Sequence, residues 1–181
     1  MFDYDFVSLL KEHQAVTMDD LSHLRIGIGH DTHRLKPGGP LRLGGIDVPF
    51  EFSLDGHSDA DVLLHAITDA ILGAAAMGDI GELFPDTVQE NHQRDSADML
   101  LKAMQKVAES GFQIINLDCI VFAEKPKLSK FKQTIAARIA EILKISSGQV
   151  GVKAKTGEGV GAVGDGQAMM AQCVALMRQI R

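Results

Sequence analysis

Asp31 and His33 stand two positions apart in the polar stretch Gly-Ile-Gly-His-Asp-Thr-His-Arg-Leu, residues 27–35. If a strand runs through them, its two-residue period puts both side chains on one face. A carboxylate and an imidazole suit a borderline divalent ion such as zinc. A solvated turn is the plainer account until a third ligand joins them. Gly27 and Gly29 do not make a dinucleotide loop. That fingerprint needs a third glycine where Thr32 stands, opening a helix, and no helical pattern follows.

His65 is the candidate third ligand. Asp61, His65 and Asp69 are four residues apart and share one helix face, which taken alone is an ordinary polar face. With Asp31 and His33, His65 completes a His-His-Asp set with an open fourth position. That is the ligand count of a catalytic rather than a structural zinc. Asp61 or Asp69 is then expected to hold the second imidazole nitrogen. His57 and Ser58 precede this helix. Ser58 and Asp61 have capping-box spacing; the functional alternative is an anion site at the helix N-terminus beside a histidine. "GDIGELFPD", residues 78–86, reads as a shaped loop carrying Asp79 and Asp86. "KAKTGEGVGAVGDGQ", residues 153–167, combines five glycines with Lys153, Lys155, Thr156 and Glu158. It reads either as a phosphate cradle or as a flexible hairpin, and it lacks the spacing of a Walker loop.

These residues need a scaffold. Arg25 to Gly29 reads as a short strand. "PLRLGGIDVPF" is a hairpin signal, with Gly44-Gly45 supplying the positive φ of a tight turn. "DVLLHAITDAILGAAAMG" is the strongest helix, with Val62, Ala66, Ile67, Ala70, Ile71 and Ala74 inward and Gly78 as its stop. Asp95 or Ser96 caps a second helix that Gly111 ends. "NLDCIVFAEKP" is a strand halted at Pro126. Ser129 starts a third helix, with Phe131, Ile135, Ile139, Ile142 and Leu143 on one face. "QVGVKAKT" alternates as a strand. "AMMAQCVALM" fits a final strand better than a helix. The order predicts a single α+β domain, a mixed β-sheet with helices packed on one face.

The chain has 181 residues and a net charge of −6. That length suits one domain with one core, running from about residue 25 to 181. The acidic balance argues against a nucleic-acid binder, and no apolar run is long enough to span a bilayer. Cys119 and Cys173 are too few for a disulfide scaffold and read as small apolar residues of a reducing, cytoplasmic compartment. Residues 1–24 are acidic, unlike a signal or transit peptide. Phe2, Phe6 and Leu10 sit at helical spacing there, and the segment is expected to be a peripheral extension.

In this order, "RIGIGHDTHRL", "LGGIDVPFE", "HSDADVLLHAITDAILGAAAMGDIGELFPDT" and "VKAKTGEGVG" resemble the 2-C-methyl-D-erythritol 2,4-cyclodiphosphate synthases of the non-mevalonate isoprenoid pathway. The resemblance spans Arg25 to Met177, and the third stretch is long and specific. It implies a phosphorus-oxygen lyase that cyclises 4-diphosphocytidyl-2-C-methyl-D-erythritol 2-phosphate and releases CMP. It implies Asp31, His33 and His65 as zinc ligands. Glu158 would be a ligand of magnesium or manganese bridging the nucleotide phosphates. His57 and Ser58 match phosphate-holding residues, and His57 with Thr156 match the pair that stabilises the transition state. Asp79, Ile80 and Gly81 match the loop at the erythritol hydroxyls; Phe84, Pro85 and Asp86 match a mobile loop over the site. Residues 123–129, including Ala123 and Lys127, match the cytidine pocket together with Ala154, Lys155, Thr156, Gly157 and Glu158. The resemblance also implies a homotrimer with each active site between two subunits. A zinc hydrolase of a nucleotide diphosphate is the alternative enzyme that the same ligand set allows. Departures occur at Ala162, Asp165 and Gln167, where family members often carry an aromatic and an Arg/Glu pair lining the trimer axis, and at Lys155, where many carry Thr.

Overall fold

The computed structural model describes residues 21–85, 87–92 and 94–180. The expected N-terminal helical spacing and Asp86 lie outside these residues. The first strand is β1 (Leu24–Pro37), 14 residues long and much longer than the short Arg25–Gly29 strand expected. It runs straight through Asp31 and His33, paired antiparallel with the C-terminal strand from Leu24 opposite Arg178 to Arg34 opposite Ala168. The hairpin is β2 (Leu41–Leu43) and β3 (Ile46–Val48). Gly44 and Gly45 have φ of +62° and +75° at its turn, as a two-residue hairpin loop requires. A three-residue strand unforeseen in the sequence, β4 (Phe52–Leu54), follows; it is too short to show a period.

Helix α1 (Val62–Ala74) comes next, then a single turn, α2 (Ile80–Leu83), and α3 (Ser96–Glu109), capped by Asp95. Strand β5 (Phe112–Phe122) leads through a 3₁₀ turn to α4 (Lys132–Leu143). The turn occupies Leu128–Lys130, so this helix starts three residues after Ser129. Strand β6 (Val150–Lys155), the short α5 (Gly161–Gly164) and β7 (Ala168–Gln179) complete the chain. "AMMAQCVALM" is thus the strand expected.

Five strands make one sheet in the order β4-β1-β7-β5-β6, and β2-β3 forms a separate two-stranded sheet. β5 and β6 are parallel and the other pairs antiparallel, so the sheet is mixed. Helices α1, α3 and α4 cover one face around a core that includes Leu64, Ile67, Ile71, Leu100, Ile135 and Ile139, all fully buried. The opposite face leaves Ile26 and Ile28 of β1 73% and 69% exposed, with Val174 of β7 also exposed. Cys119 and Cys173 are cross-strand partners, buried and unlinked, with sulfurs 3.6 Å apart. The contact with Cys119, and then burial, push the Cys173 thiol far up, so it stays a thiol and behaves as a small apolar residue.

Candidate active site

The two glycines before the polar cluster have a structural task. Gly27, Gly29, Asp31 and His33 alternate onto the same face of β1, the face that α1 covers. A Cβ on Gly27 would stand 1.9 Å from the Ala70 carbonyl oxygen, and one on Gly29 would stand 1.9 Å from that of Ala66. The helix backbone therefore rests directly on the strand backbone. Small residues at four-residue spacing in α1, Ala66, Ala70 and Ala74, form the matching stripe. This close approach hangs His65, near the start of α1, over Asp31 and His33.

The three side chains converge. His65 Nδ1 lies 2.9 Å from Asp31 Oδ2 and 3.1 Å from His33 Nε2. His33 Nε2 lies 3.0 Å from the same Asp31 oxygen. A tetrahedral zinc with bonds near 2 Å separates its ligand atoms by about 3.3 Å. A triangle with sides of 2.9–3.1 Å is therefore close to what such an ion takes, and among the described residues this is the one group of its kind. Burial alone opposes the Asp31 carboxylate. Hydrogen bonds and charge attraction from His33 and His65 outweigh it and hold its pKa well below the usual carboxylate range. Burial likewise opposes the His33 imidazolium, but Asp31 and the Asp55 backbone outweigh it and raise its pKa above 6.5. The site is thus built to gather positive charge.

The expected outer partners of His65 are corrected. Asp61 is the N-cap of α1, accepting from Leu63 N and Leu64 N, and from Gly44 N and Gly45 N of the hairpin at 2.8 and 2.7 Å. Asp69 Oδ1 accepts from Ile80 N at 2.8 Å. Both carboxylates are committed to backbone N–H groups, which a four-residue spacing could not disclose. His65 Nε2 instead meets Ser96 Oγ at 2.9 Å and Ser58 Oγ at 3.1 Å. Ser58 accepts from Ala60 N at 3.2 Å and forms no capping box with Asp61. α1 also ends at Ala74 rather than at Gly78, because the chain turns back through Ala75 and Ala76 first.

A cavity of about 400 Å³ opens beside the triad. His33, His57, Ser58, His65, Ile80, Gly81 and Phe84 line it, together with Asp55, Gly56, Asn91 and Met99, none of which the sequence singled out. The Asp79 side chain caps α2, accepting from Glu82 N at 2.8 Å. Phe84 is buried, with the Arg94 guanidinium 5.0 Å from its ring centroid; Pro85 follows it, exposed. A second cavity of about 710 Å³ is lined by Ala123, Lys127, Ala154, Lys155 and Thr156, with Phe50, Glu124, Lys125, Pro126, Leu128, Ser129 and Lys132. The cis Lys125-Pro126 peptide lies in its wall. Glu124 accepts from Gly157 N at 3.1 Å. Thr156 Oγ donates to Glu158 Oε1 at 2.6 Å, and Glu158 holds a left-handed φ of +50° between two glycines. The two cavities share no described lining residue; His33 and His65 line one and Thr156 the other.

Fold and triad together define an α+β protein with a candidate three-ligand centre for a divalent metal. Comparison with known proteins makes this specific. The model of the YgbB family matches residues 24–178, and the chain belongs to that family. A relative from Rhodopirellula baltica named 2-C-methyl-D-erythritol 2,4-cyclodiphosphate synthase is 52% identical over 153 residues, covering 84% of this chain and 92% of its own. One of the same name from Natranaerobius thermophilus is 48% identical, over 87% of this chain and 99% of its own. A solved synthase of this name, in its CDP-bound form, is 34% identical with a TM-score of 0.79, over 84% of this chain and 99% of that one. The bifunctional protein from Campylobacter jejuni is 40% identical with a TM-score of 0.84. It covers 87% of this chain, which spans 42% of that longer one.

Proposed function

We propose that this chain is a 2-C-methyl-D-erythritol 2,4-cyclodiphosphate synthase, a phosphorus-oxygen lyase of isoprenoid precursor biosynthesis. Its substrate on this reading is 4-diphosphocytidyl-2-C-methyl-D-erythritol 2-phosphate. An oxygen of the 2-phosphate bonds to the β-phosphorus. The bond from that phosphorus to the bridging oxygen breaks, and CMP leaves with the bridging oxygen. The observation that carries this reading is the Asp31–His33–His65 triangle in a chain 52% identical to a relative of that name.

Nucleophile and electrophile are both anionic, so cationic charge and in-line placement account for most of the catalysis. Asp31, His33 and His65 would hold zinc, and Glu158 would hold magnesium or manganese, ions that supply neutralising charge to phosphate oxygens when bound. His57 and the free hydroxyl proton of Ser58 face the cavity beside the triad and orient the 2-phosphate. Backbone and side chains of Asp79, Ile80 and Gly81 position the erythritol, and Phe84, Pro85 and Asp86 exclude water above it. Ala123, Lys127 and Ala154 receive the cytidine. Lys155, Thr156 and Gly157 contact the nucleotide phosphates, and Thr156 works with His57 on the charge that develops at the β-phosphorus.

The separation of the two cavities supports a homotrimer, with Thr156 of one chain facing His57 of the next. The exposed Ile26, Ile28 and Val174 face supplies the apolar surface for it. Residues 25–181 form the catalytic domain and 1–24 a peripheral extension. No described helix is long and apolar enough to cross a membrane; on this reading the enzyme is cytoplasmic and acts on a small nucleotide.

Phosphorus NMR of the protein incubated with that substrate tests the function. CMP plus a cyclic diphosphate, both lost on chelation, is expected. CMP plus a linear bisphosphate would instead mark a zinc-dependent hydrolase.

A further inference from the structure

The ring nitrogen of His65 that points away from the triad meets two hydroxyls, and they differ in what they can do. Ser96 is 1% exposed. Its backbone N–H donates to Asp59 Oδ2 at 3.2 Å, and its hydroxyl donates to Asp59 Oδ1. A serine hydroxyl has one proton. With that proton committed to a carboxylate, Ser96 Oγ can only accept from His65 Nε2, 2.9 Å away. A proton must then sit on Nε2, so Nδ1, 2.9 Å from Asp31 Oδ2, is the nitrogen left to bind an ion. Arg42 Nε, 3.7 Å from Asp59 Oδ2, supplies the opposite charge at the far end. Ser58 also lies against Nε2, at 3.1 Å, but nothing fixes its proton, and it lines the cavity.

We propose that Ser96, held as an acceptor by Asp59, is the positioning residue that sets the His65 tautomer for metal binding and leaves Ser58 free to turn to a phosphate. The inference rests on the metal-centre reading above. The chain begins on β2 with Arg42, passes through Asp59 ahead of α1, and ends at the first residue of α3. Three elements distant in sequence therefore converge on one imidazole. This arrangement matches a general pattern, in which a ligating histidine's second nitrogen is held by an oriented acceptor.

The test uses zinc itself, titrated into the full metal-free chain against a chelator of known affinity, with the imidazole nitrogens followed by long-range proton–nitrogen NMR. Ser96→Ala is expected to weaken zinc binding by about 10–100-fold, the usual consequence of losing such a partner. It should also turn the fixed Nε2–H signature of His65 into a mixture. Asp59→Asn keeps the shape but can donate to Ser96, so that the hydroxyl turns toward Nε2. It should weaken zinc binding similarly and shift His65 toward Nδ1–H. If the wild-type chain binds zinc and both variants bind it within about twofold, the inference is overturned. It is equally overturned if affinity falls while the tautomer stays unchanged, since that is general loosening. A wild-type chain that binds no zinc would overturn the metal-centre reading as well, and is thereby distinguished from failure of the relay alone.

Discussion

His65 joins helix α1 to strand β1 and to Ser58 and Ser96 at the candidate metal centre. Replacing it with alanine removes a ligand atom that lies 2.9 and 3.1 Å from its two companions and leaves the inward stripe of α1 untouched. His65→Ala is expected to lose zinc retention and to cut turnover by about 100-fold or more, with circular dichroism unchanged. Full activity in a zinc-free preparation of the variant would remove His65 from the ligand set. The Asp31–His33 pair also sets a pH dependence in the metal-free chain. His33 has a pKa raised above 6.5 by its partners. Its contribution is complete below that value and is lost as pH rises through the folded pKa. Asp31 has a lowered pKa, so its contribution is present above 3.8 and is lost as pH falls through its folded value. Denaturant titration with chelator present should therefore give a lower midpoint at about pH 8 than at about pH 5.5, and bound zinc, which displaces the His33 proton, should reverse that order.

At the scale of elements, the contact of α1 with β1 decides whether these side chains meet. Gly29→Ala places a Cβ 1.9 Å from the Ala66 carbonyl oxygen, and a helix backbone cannot yield as a side chain end can. The expected cost is about 1–3 kcal/mol or more, read by urea denaturation, together with weakened zinc binding because His65 is lifted from Asp31. Asp61 is the second structural hinge. One fully buried carboxylate caps α1 and holds the hairpin turn through Gly44 and Gly45. Asp61→Ala removes both sets of charge-assisted bonds and should cost about 2–4 kcal/mol. A melting temperature equal to that of the parent chain would contradict this account of the cap.

For the whole molecule, the open face of the sheet and the separated cavities point the same way. Sedimentation is expected at the mass of three chains. Ile28→Lys, which puts a charge in the exposed apolar stripe of β1, should yield single chains that still bind zinc but turn over no substrate. On the proposed reading the triad is complete within one chain and Thr156 comes from another. A single-chain species with full turnover would overturn the shared-site reading.

Much of this protein was legible from residue types alone. The α+β order, the hairpin turn at Gly44-Gly45, the helix around His65 and the Asp31–His33–His65 set follow from local periodicity, turn chemistry and ligand chemistry, which are written along the chain. The resemblance supplied the expected substrate and assembly, which no spacing could. What the chain could not disclose is partnership across elements. Whether Gly27 and Gly29 serve a ligand or a helix depends on what lies within 2 Å of an absent Cβ. Whether Asp61 backs a histidine or caps a helix depends on which N–H groups the fold brings to it, and the same holds for Asp69. Ser96 looked like a cap residue and proved to be the partner of His65, because Asp59, 37 residues earlier, holds it there. Local sequence determined the elements and the reactive side chains. Only the tertiary structure decided which donor meets which acceptor, since hydrogen bonds and close approaches are set by distances in space that spacing along the chain does not contain.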